Sequence, residues 1–314
     1  MEPGLGRYLV RRAFSAAIAL VGVCLLVFFL MHLIPGDPVD NMLGETAPAA
    51  ERDRLRQALH LDEPMTAQLS RFVHGVGDGT LGRSFRHPDR TVTSLVAEVF
   101  PDTLLLALAS MFVALLLAIP LGIAAALRPG TWVDGASMGL SLLGVAIPNM
   151  WLGPLLLFAF SIHWSLLPGP APDDPRTFGA LLLPAVTLGT ALMAMLSRMT
   201  RASLLGVLGD DYIRTARAKG LPGFTVVMRH GLRNALIPVI TVAGLQFGAL
   251  LSGAIVTEKV FGRPGVGSLL LGAISSRDYP VIQGTVLFVA ALYVLVNLAV
   301  DLTYGLVDPR IRRR

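Results

Sequence analysis

The sequence predicts an all-α membrane protein with six transmembrane helices and both termini on the cytoplasmic side. Apolar residues make up 54% of the chain and charged residues 15%, against about 25% charged in soluble domains; mean hydropathy is +0.65. Six apolar runs approach or exceed the ~20 residues that carry a helix across ~30 Å of hydrocarbon. Basic residues concentrate on alternate connections between those runs. Lipid offers no solvent to backbone N–H and C=O groups, so a spanning run must be a helix or part of a closed barrel. None of the six alternates as barrel strands do.

The first run, Ala13–Ile34, follows Arg7, Arg11 and Arg12. It is longer than the ~7–15-residue core of a signal peptide and no small-x-small cleavage site follows, so it reads as a retained span. Ile34-Pro35-Gly36-Asp37-Pro38 ends it. The outer segment from Pro35 to Asp102 is too long for a plain connection. Ala49–Leu59 and Met65–Val76 read as short helices, the second with an apolar stripe of Leu69, Phe72, Val73 and Val76. A glycine-rich turn region, GVGDGTLGRSF, follows. Leu95, Val96 and Val99 suggest a third helix along the interface before Pro101. Such a segment suits a lid on the bundle and a platform for an extracytoplasmic protein.

The remaining spans fall at Thr103–Leu127, Ser137–Ile162, Gly179–Leu196, Ala235–Thr257 and Ile282–Leu302. Pro120, Pro148, Pro184 and Pro238 are expected to kink spans two to five. The outer loop His163–Phe178, with Pro168, Pro170, Pro172 and Pro175, reads as a semi-rigid spacer. In the last outer loop, Glu258–Val281, the apolar Phe261, Leu269, Leu270 and Leu271 predict a segment that dips back against the bundle. The chain divides into residues 1–102, the first span with its outer loop, and 103–314, a five-helix core with a cytoplasmic loop at 197–234.

Orientation follows from charge. The segments placed inside hold 15 of the 26 Lys/Arg but six of the 21 Asp/Glu, as the positive-inside rule requires. The pI near 9.9 thus reflects topology and gives no reason to expect a nucleic-acid partner. Membrane lipid is the partner of the Arg310, Arg312, Arg313, Arg314 tail.

Most catalytic chemistry is absent. The one cysteine, Cys24, lies in the first span, and the six histidines lack metal-ligand spacing. The only lysines, Lys219 and Lys259, sit in no phosphate-cradling G-x-x-x-x-G-K-[ST] loop, so the chain is no P-loop ATPase. Gly135-Ala136-Ser137-Met138-Gly139 matches G-x-S-x-G, but that elbow needs a strand before it. Here it opens a membrane helix, where small residues favour close packing. No Asp, Glu, Lys or Arg lies mid-membrane, which disfavours an ion-coupled secondary transporter. Asn149, Thr187, Thr190, Gln246, Ser252 and Asn297 are the sparse intramembrane polar residues. Asn149, Gln246 and Ser252 are the candidates for a translocation path.

An energy source must come from outside the chain, which directs attention to Ser197–Leu236. Arg198, Arg201, Arg214, Arg217, Lys219, Arg229 and Arg233 face only Asp210 and Asp211 there. Asp210–Lys219 reads as a short helix. Acidic residues stand at its start and basic ones at its end, Gly220 stops it and Pro222 lies just beyond. It can serve as a rigid lever outside the membrane or as an interfacial helix whose basic residues snorkel to headgroups.

Asp211-Tyr212-Ile213-Arg214-Thr215-Ala216-Arg217-Ala218-Lys219-Gly220, with His230-Gly231-Leu232-Arg233-Asn234-Ala235-Leu236-Ile237-Pro238, resembles the coupling loop of binding-protein-dependent ABC importer permeases. The variant is nearest that of dipeptide, oligopeptide, glutathione and nickel permeases. Gly79–Phe85, Ile119–Gly122, Ala146–Pro148, Ser276–Pro280 and Val307–Arg312 agree in order along the chain. Against the wider pattern E-A-A-x-x-x-G-x9-I-x-L-P, Arg214, Thr215, His230 and Arg233 are departures that match the peptide-permease branch. The resemblance implies a type I ABC importer permease fold in a bacterial cytoplasmic (inner) membrane. It also implies a second homologous permease subunit, two cytoplasmic ATPases holding ATP and Mg, and an extracytoplasmic solute-binding protein. No cofactor, metal or catalytic residue falls to this chain. Asp211, Tyr212, Arg214, Thr215, Ala216, Arg217, Ala218, Lys219 and Gly220 would form the coupling helix, with Arg217 and Lys219 as polar contacts. The cargo implied is a peptide first, then glutathione-like peptides or nickel chelates.

Overall fold

The computed structural model describes residues 3–33, 37–44 and 47–307, with side chains over 11–33, 37–44, 47–251 and 254–300. Among these the only β-pairing is an isolated bridge, Arg83 with Thr91. The helices in chain order are α1 (Pro3–Leu33), α2 (Pro38–Leu43), α3 (Ala49–Ala58), α4 (Met65–Gly77), α5 (Val92–Leu127), α6 (Trp132–Ala146) and α7 (Asn149–Leu156). The last continues as a π-helical segment, Leu157–His163. Then come α8 (Phe178–Leu208), α9 (Asp211–Ala218) and α10 (Gly223–Thr225). A second π-helical segment, Val226–Gly231, leads into α11 (Leu232–Gly253), α12 (Ile255–Val260), α13 (Val266–Ser276) and α14 (Tyr279–Val307). Five described helical stretches are long and apolar enough to cross a membrane, and α6 with α7 makes a sixth if the bent pair is one span.

Three expectations change. The interfacial helix before Pro101 is not separate, because α5 runs through Pro101 without a break. One missing N–H is tolerated where the rest of the ladder persists and Val92, Leu95 and Val96 are buried on one side. The third span is not one helix. Its two limbs meet at 94° around Ile147-Pro148, where Ile147 is extended (φ −91°, ψ 115°), as the ring of a following proline demands. Pro148 thus breaks the span, whereas Pro184 and Pro238 lie inside continuous helices. Finally, the stretch from Ser197 is mostly helix rather than loop: α8 extends to Leu208, and α10 leads directly into the fifth span. The short α2 was hidden by its prolines, and Pro38 stands at its first position, where no N–H is needed.

The described chain forms two compact units. The first joins Met1–Thr103 to Pro264–Leu295. Its core holds Met31, Val92, Leu95, Val96, Ala273, Val281 and Ile282, with Leu269 and Leu270 packed against it; the expected inward dip of the last outer loop is α13. A neighbouring cluster seats Phe28 on Phe72, ring centroids 6.1 Å apart, beside Leu287, Leu69 and Val76. Val73, placed on that stripe by periodicity, is instead half-exposed. Asp278, almost fully buried, fastens the glycine-rich segment: its carboxylate accepts the Ser84 hydroxyl and the N–H groups of Phe85 (3.0 Å) and Arg86 (3.2 Å).

The second unit joins Leu104–Arg263 to Val296–Arg314. Its centre is α8, packed by α6, α7 and α11. Gly144 of α6 lies so close to α8 that an added Cβ would stand 2.2 Å from the Thr190 carbonyl oxygen; small residues are what let membrane helices approach in this way. Phe261 packs with Leu157 and Leu183.

Candidate coupling site

The expected short helix is present as α9, with Asp210 in the N-cap position and Asp211 in its first turn. Its end is a full Schellman arrangement. The Gly220 N–H donates to the Arg217 carbonyl (2.9 Å) and the Leu221 N–H to the Ala216 carbonyl (3.4 Å). Gly220 sits at φ +74°, a conformation that costs a residue with a Cβ about 1–2 kcal/mol.

One ridge of α9 is apolar. Ile213 is fully buried and Ala216 nearly so, against Val226, Val207 and Leu208. Burial of an isoleucine side chain stabilises by about 1.5–3 kcal/mol, enough to seat an eight-residue helix that could not persist alone. A polar strut adds to it. The Tyr212 hydroxyl accepts from Asn234 Nδ2 (2.8 Å) and donates to the His230 carbonyl (3.4 Å). Helix α9 is thus tied both to the end of α8 and to the start of α11.

The opposite ridge faces outward. Asp211, Arg214, Thr215, Arg217, Ala218, Lys219 and Gly220 are exposed. Arg214 pairs loosely with Asp211 (3.3 Å), and the Thr215 hydroxyl donates to the Asp211 carbonyl (3.0 Å). Leu221 and Phe224 continue this surface, Phe224 being 77% exposed. Of the nine residues expected to form a coupling helix, Ala216 turns inward and Tyr212 braces the helix from a part-exposed position. The other seven form an open, mostly polar surface.

Sequence reasoning missed the anchor behind this surface. Asp134 of α6 is buried and takes Arg201 of α8 in a two-pronged bond, Nε to Oδ1 at 2.7 Å and Nη2 to Oδ2 at 2.6 Å. The Gly130 N–H donates to the same carboxylate at 3.0 Å. Arg201 therefore belongs to the packing of α6 on α8 and leaves the exposed basic field. The usable signal was its register: it stands one turn after buried Ser197 and one before buried Leu204, on the core face of a lengthened α8.

The other expected residues are scattered. Asn149 is half-buried at the start of α7, just past the bend. Gln246 on α11 carries a buried side-chain oxygen without a hydrogen-bond partner, as does Asn297 on α14. The side chain of Ser252 lies outside those described. Thr187 and Thr190 spend their hydroxyls on the carbonyls of Leu183 (2.8 Å) and Val186 (2.9 Å) in their own helix. Ser137 of the G-x-S-x-G match is buried within α6, its carbonyl accepting the Ser141 hydroxyl; no strand leads into it, so no nucleophile elbow exists.

Comparison with known proteins agrees along the whole chain. Residues 118–313 match the family model described as binding-protein-dependent transport system inner membrane component. Residues 5–107 match the model for the N-terminal part of such membrane components. The dipeptide transport system permease protein DppB of Escherichia coli (strain K12) is 42% identical, over 98% of this chain and 99% of that protein. The glutathione transport system permease proteins GsiC of Salmonella paratyphi A and Pectobacterium atrosepticum are 42% and 43% identical, each over 97% of this chain and 98% of theirs. With its membrane-length helices and these full-length matches, the chain belongs to the family of inner-membrane components of binding-protein-dependent transport systems.

Proposed function

We propose that the chain is one permease subunit of an ATP-driven importer that carries di- and oligopeptides across the bacterial inner membrane. A solute-binding protein delivers the cargo from outside, a second homologous permease completes the pathway, and two cytoplasmic ATPases supply the work with their own ATP and Mg. The chain hydrolyses nothing itself.

The observation that carries this reading is the two-sided build of α9. Ile213, Ala216 and Tyr212 bind it to α8 and α11, while Arg217, Lys219 and their neighbours stay open to a partner. An ATPase that binds this ridge more tightly in one of two transporter states biases their equilibrium by that difference in free energy. Helix α9 conveys the bias because it cannot move without the ends of both spanning helices. Full-length similarity to a dipeptide permease supports peptide as the cargo, and equal similarity to glutathione permeases supports a second reading, a γ-linked tripeptide thiol.

The deciding measurement is ATP hydrolysis by the assembled complex in liposomes, with its own binding protein. Dipeptides and short oligopeptides are expected to stimulate it severalfold. Stimulation by glutathione alone would transfer the assignment to the second reading. Stimulation by neither would refute peptide import.

A further inference from the structure

The first unit contains a cleft of about 1040 Å³. Its floor is apolar and aromatic: Phe28, Met31, Phe72, Leu81, Tyr279 and Pro280. Its charged lining is Arg56, Arg71, Arg83 and Arg86 against Asp37 and Asp78; Arg56 pairs with Asp37 and Arg71 with Glu63, which leaves an excess of one positive charge. These guanidinium groups are held in place by few bonds. Arg71 uses Nη2 on Glu63, Arg83 uses Nη1 on the Pro88 carbonyl, and Arg86 uses Nη2 on the Asn41 amide oxygen. A guanidinium has five N–H donors, so each keeps others to offer.

The position of the cleft selects among ligands. Phe28, Met31 and His32 stand at the outer end of the first span, which closes at Leu33. Tyr279, Pro280 and Gln283 stand at the outer end of the last span, which opens at Tyr279. The floor thus lies at the edge of the hydrocarbon, and the walls come from α3, α4 and the segment 78–88 outside it. Beside the floor, α1 presents an exposed apolar face of Leu25, Leu26, Phe29, Leu30 and Leu33. A ligand matched to this surface has one anionic head and an apolar body that continues into the bilayer.

We infer that the cleft is a binding site for an anionic phospholipid of the outer leaflet, its phosphate among Arg71, Arg83 and Arg86 and its acyl chains along the exposed face of α1. Juxtamembrane arginines attract anionic headgroups. The apolar floor gives a lipid what a freely soluble anion does not need. A lipid held there ties α1 to the extracytoplasmic helices of its own unit.

The test uses the purified complete importer in detergent, titrated with phosphatidylglycerol or phosphatidylcholine of the same acyl chains and read by native mass spectrometry. Phosphatidylglycerol is expected to bind about 20-fold more tightly than phosphatidylcholine, the effect of several arginines on one anionic head. The exposed double variant Arg71→Gln/Arg83→Gln should bring the two lipids close to parity. Arg54→Gln, an exposed outer charge that does not line the cleft, should leave the preference intact. A photoactivatable phosphatidylglycerol should label peptides spanning 25–33 or 68–88. Equal binding of the two lipids, loss of preference in Arg54→Gln, or an undiminished preference in the double variant would overturn the inference. So would displacement of the lipid by glycerol phosphate, which would make this a soluble-anion site, or by a dipeptide, which would make it a cargo site.

Discussion

Helix α9, the proposed lever, and the clamp on the outer segment are both fastened in place, but by opposite means. Helix α9 is secured almost entirely by near neighbours in sequence: Val207, Leu208 and Val226 around Ile213, and Asn234 on Tyr212. The clamp is one carboxylate, Asp278, holding Ser84, Phe85 and Arg86 across nearly two hundred residues. A lever built from local contacts can travel with its two spanning helices without disturbing distant packing. A clamp built across such a separation fixes the outer segment onto the last span and resists motion. On the proposed reading, the contrast separates a part that moves from a part that stays.

The largest effect is expected at the clamp. Asp278→Ala takes the acceptor from the buried Ser84 hydroxyl and the part-buried Phe85 N–H, while the Arg86 N–H keeps the Ser84 oxygen, at a cost of about 3 kcal/mol. Thermal unfolding of the complex and proteolysis within 79–90 should both register it. If neither changes, the clamp is ornamental and the comparison fails. Next comes Gly220→Val, which forces a β-branched residue into left-handed backbone at a cost of about 1–2 kcal/mol. Membrane insertion should persist while ATP hydrolysis no longer drives uptake; normal transport by this variant would remove α9 from its role as the lever. Tyr212→Phe deletes the strut alone and should cost about 1 kcal/mol. The expected signature is a lower ratio of peptide moved to ATP hydrolysed at unchanged expression. An unchanged ratio would leave Ile213 and Ala216 as the whole attachment.

The smallest effect concerns pH. The Arg71 guanidinium, with some opposition from desolvation, holds the Glu63 carboxyl below its ordinary value of 4.5. A depressed carboxyl pKa contributes stability that is fully present above the ordinary value and fades as pH falls through the lowered one. Local protection of the α3–α4 region, read by hydrogen exchange, should therefore be flat from pH 8 to 5 and decline slightly only below about 4.5. A decline already complete above pH 5 would exclude this carboxylate as its source.

Features with local causes could be read from the chain. Spans emerge from runs of apolar residues because hydrocarbon forces the backbone to satisfy itself. Helix α9 was readable because acidic residues at its start, basic residues at its end, a glycine stop and a following proline all fall close together in the chain. Family membership was readable from motifs in order along the chain. What escaped involved partners far apart. Asp134 and Arg201, 67 positions apart, looked like two loop charges until α8 lengthened and brought them together. Asp278 and Ser84 were ordinary polar residues in separate outer segments.

Two prolines mark the boundary most sharply. Pro101 and Pro148 both lack a backbone N–H, yet the chain takes different courses at them. The first sits inside a continuous α5, and the second turns the chain by 94°. Whether the ladder carries on depends on which packing is gained by bending, and that is settled by residues far away in the chain. Composition and periodicity were enough to find the apolar, membrane-length runs, since solvent and hydrocarbon act on each residue separately. Where a helix bends, which charges meet and which arginines gather around the outer cleft depend on pairs of residues, and pairs exist only once the chain has folded.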